Sequence, residues 1–291
     1  MKLNRSALAV GTIICLLGIA ALGYFYNTNQ ARMRNAVVEL MRNDPEIQRM
    51  LTPQAPAPRP MTPGPITDQA QIEEIIHSYL LLHPEVLQEA IAELEKRQAI
   101  AEAEKHRTAI TQNAELLYNS PRQVTLGNPQ GDVTFVEFFD YNCAYCKRAL
   151  GDMLELMKAD PKVKVVLKEF PVLGQASVEA AQVATAVRMQ DKSGKKYLEF
   201  HQKLLLGRGQ ADRARALAVA KDIGLDMARL EKDISSEEAR ASIDESLKLA
   251  ELLGLNGTPS YVVGPNVVIG AVGLSALREK VNTARCGKAT C

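Results

Sequence analysis

The stretch Val133-Thr-Phe-Val-Glu-Phe-Phe-Asp-Tyr-Asn-Cys-Ala-Tyr-Cys-Lys-Arg148 constrains this chain more than any other. It opens as an apolar run rich in β-branched and aromatic residues, the pattern of a buried strand. Asp140-Tyr141-Asn142 breaks that pattern. From Cys143 onward Ala149, Leu150, Met153, Leu154 and Leu156 recur at helical spacing among Lys147, Arg148, Asp152 and Glu155. Cys143 is therefore expected at a strand-to-helix junction, in the first turn of the helix. Free backbone N–H groups and the positive end of the helix dipole favour an anion there. The anion at hand is the Cys143 thiolate. Lys147 and Arg148 add positive charge, and no carboxylate lies in the first turn. A thiol so placed has a lowered pKa and is a nucleophile near neutral pH. Cys146, one turn on, points the same way but deeper, and can close a disulfide onto Cys143. A C-x-x-C can also be half of a structural zinc site, and Cys286 with Cys291 supplies a second pair. Zinc pairs sit on tight knuckles rather than at the mouth of a helix after a buried strand. Strand, C-x-x-C and helix together point to redox chemistry.

The N-terminus sets the compartment. Lys2 and Arg5 precede an uncharged, mostly apolar run from Ala7 to Tyr26. About twenty helical residues span a bilayer core of roughly 30 Å. Basic residues in front favour an N-terminus left in the cytoplasm. Residues 1–29 are read as a transmembrane signal-anchor, the rival being a signal cleaved at Ala21-Leu22-Gly23, since signal cores are usually shorter. Both readings export the rest of the chain. Cys15 reads as a passive apolar residue of the span. Outside the cytosol the other two cysteine pairs can be disulfides. Cys286–Cys291 closes a short loop and reads as a structural clip worth about 2 kcal/mol.

Residues 30–66 hold a short helix and a linker whose prolines Pro53, Pro56, Pro58, Pro60, Pro63 and Pro65 make it an extended spacer. Residues 67–117 read as helical, with Thr67 and Asp68 as N-cap candidates. Ile72, Ile75, Ile76, Tyr79 and Leu80 share one apolar face, and Pro84 opens a long helix carrying Val86, Leu87, Ile91 and Leu94. That face must be buried, on its own domain or on another chain. Residues 118–291 then read as a turn at 127–132, a β-α-β unit ending at Pro171, a helical block over about 175–253, and a β-β-α ending. The net charge of +1 and the absence of a phosphate-cradling glycine loop point away from nucleic acid and nucleotides. His77, His83, His106 and His201 scatter over helices without metal-ligand spacing, and they read as structural or surface residues.

Glu137-Phe-Phe-Asp-Tyr-Asn-Cys-Ala-Tyr-Cys146, Lys168-Glu-Phe-Pro-Val-Leu-Gly174 and Gly257-Thr-Pro-Ser-Tyr-Val-Val263 resemble segments of the DsbA family of thioredoxin-fold proteins, and within it the ScsC-like oligomeric branch. The resemblance runs over roughly 67–285. It implies an α/β thioredoxin fold with a large helical insertion and a helical oligomerisation region over 67–117, both following the membrane helix read above from residues 1–29. It implies that Thr258-Pro259 is cis, faces the C-x-x-C and leaves the Thr258 backbone open to a substrate peptide, with Tyr145 beside it. It places Glu137 beneath the disulfide, able to hold the proton released by Cys146, with Lys168 on the neighbouring strand as its partner. Both are equally read as a structural ion pair. Ala144-Tyr145 departs from the Pro-His pair of the oxidase, so no imidazole stabilises the Cys143 thiolate from there.

These readings combine into a single-pass protein of the bacterial inner membrane with its catalytic domain in the periplasm. Cys143 and Cys146 would act as a reductase or isomerase on disulfides of exported proteins. No cofactor or metal is required, because the disulfide carries the electrons. Partners would be cysteine-containing exported substrates, a membrane redox partner and other copies of the chain. The rivals are a monomeric disulfide oxidase and a copper- or zinc-binding envelope protein using the same cysteines.

Overall fold

The structure, a computed structural model, describes residues 69–191 and 193–291. The signal-anchor expected over 1–29, the linker expected over 30–66 and the caps expected at Thr67 and Asp68 lie outside the described residues. Among the described residues no helix is long and apolar enough to cross a membrane. The chain divides into two units, one ending at Ser78 and the other Tyr79–Cys291. In the first, the described residues 69–78 are helical, with Ile72 and Ile76 exposed.

The elements run α1 (Gln69–Leu82), α2 (Glu85–Gln112), α3 (Ala114–Tyr118), β1 (Val124–Gly127), β2 (Val133–Phe139), α4 (Ala144–Ala159) and β3 (Val163–Glu169). Helices α5 (Gln175–Gln190), α6 (Lys195–Leu206), α7 (Arg213–Asp222), α8 (Met227–Ile234) and α9 (Glu237–Leu252) follow. Strands β4 (Ser260–Val263) and β5 (Asn266–Ile269) and helix α10 (Leu274–Cys286) close the chain. The sheet order is β1-β3-β2-β4-β5, with β2 and β3 parallel and every other pair antiparallel. Parallel pairing needs a crossover, and α4 supplies it.

Strand β2 is apolar without alternation because both of its faces are covered. Phe135 and Phe139 lie in a core with Val165, Leu167, Tyr261 and Val263, capped by Leu150 and Met153 of α4 and Leu277 and Val281 of α10. Val136 and Phe138 face a second core with Val166, Val262, Ile110 of α2, Leu117 of α3, and Leu249 and Leu253 near the end of α9. The C-terminal end of α2 thus belongs to the packing of the sheet. Its N-terminal half leaves Leu87, Ile91 and Leu94 exposed.

Strand β1 was not expected. Sequence reasoning saw only the turn that follows it, because four residues ending in glycine carry too little pattern. In that turn a Cβ on Gly131 would meet Lys162 O at 2.5 Å and Lys164 N at 2.6 Å, so only glycine lets the turn close onto β3. Among the described residues the helical insertion contains no strand, in line with its spacing. Asp212, Asp226 and Ser236 cap α7, α8 and α9 with their side chains.

Candidate active site

The turn between β2 and α4 is built from its own polar side chains. Asp140, buried where the strand ends, accepts hydrogen bonds from Asn142 N (2.7 Å), Val172 N (2.9 Å), Leu173 N (3.0 Å) and Ser177 Oγ (2.8 Å). Asn142 donates to Ser177 Oγ and Ala211 O and accepts from Ala211 N. The first residues of this turn are thereby fixed to the loop after β3 and to the insertion. Sequence reasoning read Asp140-Tyr141-Asn142 only as a break in a strand. A buried carboxylate before a C-x-x-C was the signal available, since a buried charge needs several donors.

Cys143 is the N-cap of α4, and its Sγ accepts from Cys146 N at 3.4 Å. As a thiol it donates to Thr258 O at 3.2 Å. The thiol of Cys143 is lowered to about 5. The first cause is its hydrogen bond with the Cys146 side chain, helped by the Thr258 side chain and the N–H groups of Cys146 and Tyr145 and opposed by burial. Donors at the helix mouth therefore do what the missing imidazole would have done. Cys143 is 7% exposed and Cys146 1%, so both are buried and Cys143 is the more accessible of the two. Burial pushes the Cys146 thiol far up. Both cysteines are free thiols in this structure. The pair is asymmetric: hydrogen bonds lower the Cys143 thiol, and burial raises the Cys146 thiol.

The Thr258-Pro259 peptide is cis. The Thr258 carbonyl stands beside Cys143 Sγ, at the start of β4. Tyr145, in the first turn of α4, is exposed, with the Arg148 guanidinium 4.3 Å from its ring centroid. Cys286 and Cys291 are joined as a disulfide at the end of α10.

Glu137 is 3% exposed and lies on the face that α4 covers. Burial raises its carboxyl to about 8, with smaller contributions from the charges of Cys143 and Asp152. Its Oε2 has no hydrogen-bond partner among the described residues. Lys168 is not its partner. In the parallel register Glu137 stands opposite Leu167, and Lys168 stands opposite Phe138, on the other face of the sheet. Lys168 Nζ donates to Leu116 O at 2.6 Å and lies 3.7 Å from Glu245 Oε1. Burial lowers its pKa to about 8. The expected Glu137–Lys168 pair fails because side chains alternate, so neighbouring strands do not guarantee a shared face. Lys168 ties α3 and α9 to the sheet and stands apart from the cysteines.

His201 is buried and lowered by burial to about 3, with its Nδ1 3.3 Å from Tyr141 Oη. It packs edge-on against Phe139, which suits a structural residue. Among the described residues no group of three or more His, Cys, Asp or Glu side chains gathers where it could hold a metal ion.

A dithiol at the N-terminus of a helix, beside a cis-proline on a mixed sheet, is the site of a thioredoxin-fold thiol:disulfide oxidoreductase. Residues 134–282 match the family model of the DSBA-like thioredoxin domain, and residues 68–101 match that of the copper resistance protein ScsC N-terminal domain. The chain belongs to the DSBA-like thioredoxin-domain family. A thioredoxin-like oxidoreductase from Silicibacter pomeroyi DSS-3 is 45% identical, with 59% of this chain and 96% of that one covered at a TM-score of 0.56. The thiol-disulfide exchange protein alpha-DsbA2 from Wolbachia pipientis is 31% identical, covering 62% and 97% at a TM-score of 0.58. Proteus mirabilis ScsC in a transitional conformation is 26% identical and covers 76% of this chain and 99% of that one, at a TM-score of 0.56. Longer curated relatives match as well. The chain spans 24% of the length of the Na(+)/H(+) antiporter NhaA 1 of Salinispora arenicola, with 27% identity over 166 residues.

Proposed function

We propose that this chain is an envelope thiol:disulfide reductase or isomerase, tethered by residues 1–29 and assembled through residues 67–117. The observation that carries the exchange chemistry is the asymmetric pair, with a lowered Cys143 thiol beside the Thr258 carbonyl and a raised Cys146 thiol next to it; the exposed apolar residues of α2 lean it towards an isomerase. The Cys143 thiolate attacks one sulfur of a substrate disulfide, forming a mixed disulfide and releasing one substrate thiolate. Cys146 then gives its proton to the Glu137 carboxylate and attacks Cys143 Sγ. The Cys146–Cys143 bond forms as the Cys143–substrate bond breaks, so the substrate gains two electrons and the protein becomes oxidised. In the mixed disulfide the Cys143 charge is gone, and Glu137 loses one of the influences that keep it protonated. Thr258, Pro259 and Tyr145 would receive the substrate peptide, and Cys286–Cys291 would clip the end of α10.

The exposed Leu87, Ile91 and Leu94 support assembly, since such residues gain by being covered. An oxidase is the second reading, and the lowered Cys143 thiol favours it. A stable thiolate stabilises the reduced form, and about 5 lies between the roughly 3.5 and 7 typical of strongly oxidising and reducing sites of this fold. Shuffling of a scrambled substrate by the full chain, compared with a chain lacking residues 1–96, separates the readings. An isomerase loses most of its shuffling on truncation while the dithiol stays redox-active. Equal shuffling by both forms, or a full chain that is already monomeric, leaves the oxidase.

A further inference from the structure

The loop between α6 and α7 is an arm held beside Cys143. Ala211 N donates to Asn142 Oδ1 at 2.8 Å, and Lys147 Nζ donates to Gly207 O at 3.1 Å. Asn142 precedes Cys143 and Lys147 lies one helical turn after it, so residues 207–211 flank that cysteine. Arg215 clamps the arm, its guanidinium donating to Gly209 O at 2.7 Å and to Leu204 O at 3.2 Å. A Cβ on Gly207 would stand 1.6 Å from Arg215 Nη2, so glycine lets the guanidinium cross there. Gly209, at φ +80°, takes a turn that other residues rarely adopt. Arg208 lies between these two glycines. It is exposed and has no hydrogen bond or ion pair among the described residues.

Four segments frame Cys143, and the exposed charges on them are of one sign. The first turn of α4 carries Lys147 and Arg148, and the arm carries Arg208, all exposed. Phe170–Val178, whose Val172 and Leu173 N–H groups bond to Asp140, holds no charged residue. Neither does Leu252–Leu277, which brings Thr258 to Cys143. The carboxylates nearby are buried or engaged. Glu137, Asp140 and Glu169 are buried. Glu179 accepts from Gln175 Nε2 and Arg213 N, and Asp212 caps α7. Asp152 is half-buried, more than two turns along α4 from Cys143. The whole chain is balanced, with 35 Lys and Arg against 34 Asp and Glu, so three cations around one cysteine are a local asymmetry. The Cys143 thiol is set by hydrogen bonds and burial, and neither Lys147 nor Arg148 is among the causes. Their charge is left for a partner. Tyr145, Leu173 and Leu206, each more than half exposed, set apolar surface among the cations.

We propose that Arg208, with Lys147 and Arg148, selects substrate disulfides whose cysteines have acidic neighbours in an extended segment of polypeptide. This rests on the reading of Cys143 as the attacking thiol. A sulfur under attack must reach Cys143 Sγ, which brings the residues next to its cysteine within reach of the three cations. The Cys143 thiolate bonds to that sulfur. The other substrate sulfur leaves with the electrons of the broken bond and takes a proton from water. Acidic neighbours are drawn in before the encounter and held during the attack. Charges so exposed act weakly one by one, so the preference is a sum over three and fades with salt.

The test uses the reduced full chain and pairs of peptides joined by one disulfide, one bearing a fluorophore and the other a quencher. Two Asp, two Ser or two Lys flank each cysteine. Brightening reads the rate of attack in a single turnover, and each rate is divided by that with dithiothreitol, which removes the peptides' own reactivity. The Asp pair is expected to react about tenfold faster than the Lys pair at low salt. The ratio should fall towards one in about 1 M salt. Arg208→Glu is expected to bring the low-salt ratio to one or below. Lys162→Glu makes the same change of net charge past the far end of α4, about 24 Å along the helix from Cys143, and should keep the wild-type ratio. Equal relative rates in wild type, or an unchanged ratio in Arg208→Glu, would overturn the proposal and leave Cys143 as the attacking thiol. A ratio moved as far by Lys162→Glu would overturn it too, assigning the preference to net charge. Peptides treated alike by a chain that binds anionic phospholipid vesicles through Arg208 would give the cations to a membrane surface instead. If neither the Ser pair nor 2-hydroxyethyl disulfide is reduced, the reading of Cys143 falls and this inference with it.

Discussion

Four hydrogen bonds lower the Cys143 thiol, from the side chains of Cys146 and Thr258 and from two backbone N–H groups that no side-chain substitution removes. Thiolate absorbance against pH should therefore give a midpoint near 5, and one at or above the free value of about 8.5 would contradict the arrangement. Glu137 has a signature of its own in stability. Its folded pKa, about 8, lies above its ordinary value of 4.5, so the folded chain binds the proton more tightly than the unfolded one. Stability from this group is complete below pH 4.5 and declines as pH rises through 8. Glu137→Gln removes that share. The variant should gain on wild type between pH 5 and 8, at roughly 1.4 kcal/mol or less per pH unit. Glu169, also raised to about 8 by burial, acts with the same sign and leaves part of the slope in place. A variant whose melting runs parallel to wild type over this range would show that Glu137 is not held protonated. The two cysteines were legible in the sequence because they sit where strand spacing turns to helical spacing, whereas the cis form of Pro259 came from the resemblance to the DsbA family. The place of Lys168 was not legible, because the face a strand residue takes depends on register. Lys168 falls opposite Phe138.

Among the elements, β2, β3, α4 and the β4–β5 pair announce themselves by long apolar runs or by a clear change from strand to helical spacing. Strand β1 does not. It is four residues long and gains its place by pairing with β3, from Val124 opposite Leu167 to Gly127 opposite Lys164. Helix α2 was legible as a helix but not in its division of labour. Ile110, near its C-terminal end, is buried in the second core, while Leu87, Ile91 and Leu94 remain exposed. Alternating burial along one helix cannot be read from a pattern that has no clean heptad. The exposed half carries the expectation of assembly. Replacing Leu87, Ile91 and Leu94 together by serine should turn an oligomer into a monomer in sedimentation, each side chain contributing about 1.5–3 kcal/mol when fully buried. The thiol chemistry of Cys143 should survive. An unchanged oligomer would place the contact elsewhere, and a wild-type monomer would remove it.

At the scale of the molecule, the sheet brings the end of β2, the start of α4 and the start of β4 to one place, although Cys143 and Thr258 are 115 residues apart. Among the described residues the insertion α5–α9 adds no strand, and it holds the turn before Cys143 where Asn142 meets Ala211. The chemistry we propose at this place assigns an ordered division between the two sulfurs, with Cys143 joining the substrate and Cys146 releasing it. That division is tested most directly by trapping. The Cys146→Ala and Cys143→Ala chains are each incubated with a disulfide-bonded protein, and covalent adducts are read by mass spectrometry without reductant. Cys146→Ala is expected to accumulate a mixed disulfide on Cys143 that a thiol reductant cleaves, and Cys143→Ala is expected to form none. Adducts in equal yield on both variants, or none on Cys146→Ala, would contradict the assignment of Cys143 as nucleophile and Cys146 as resolving thiol.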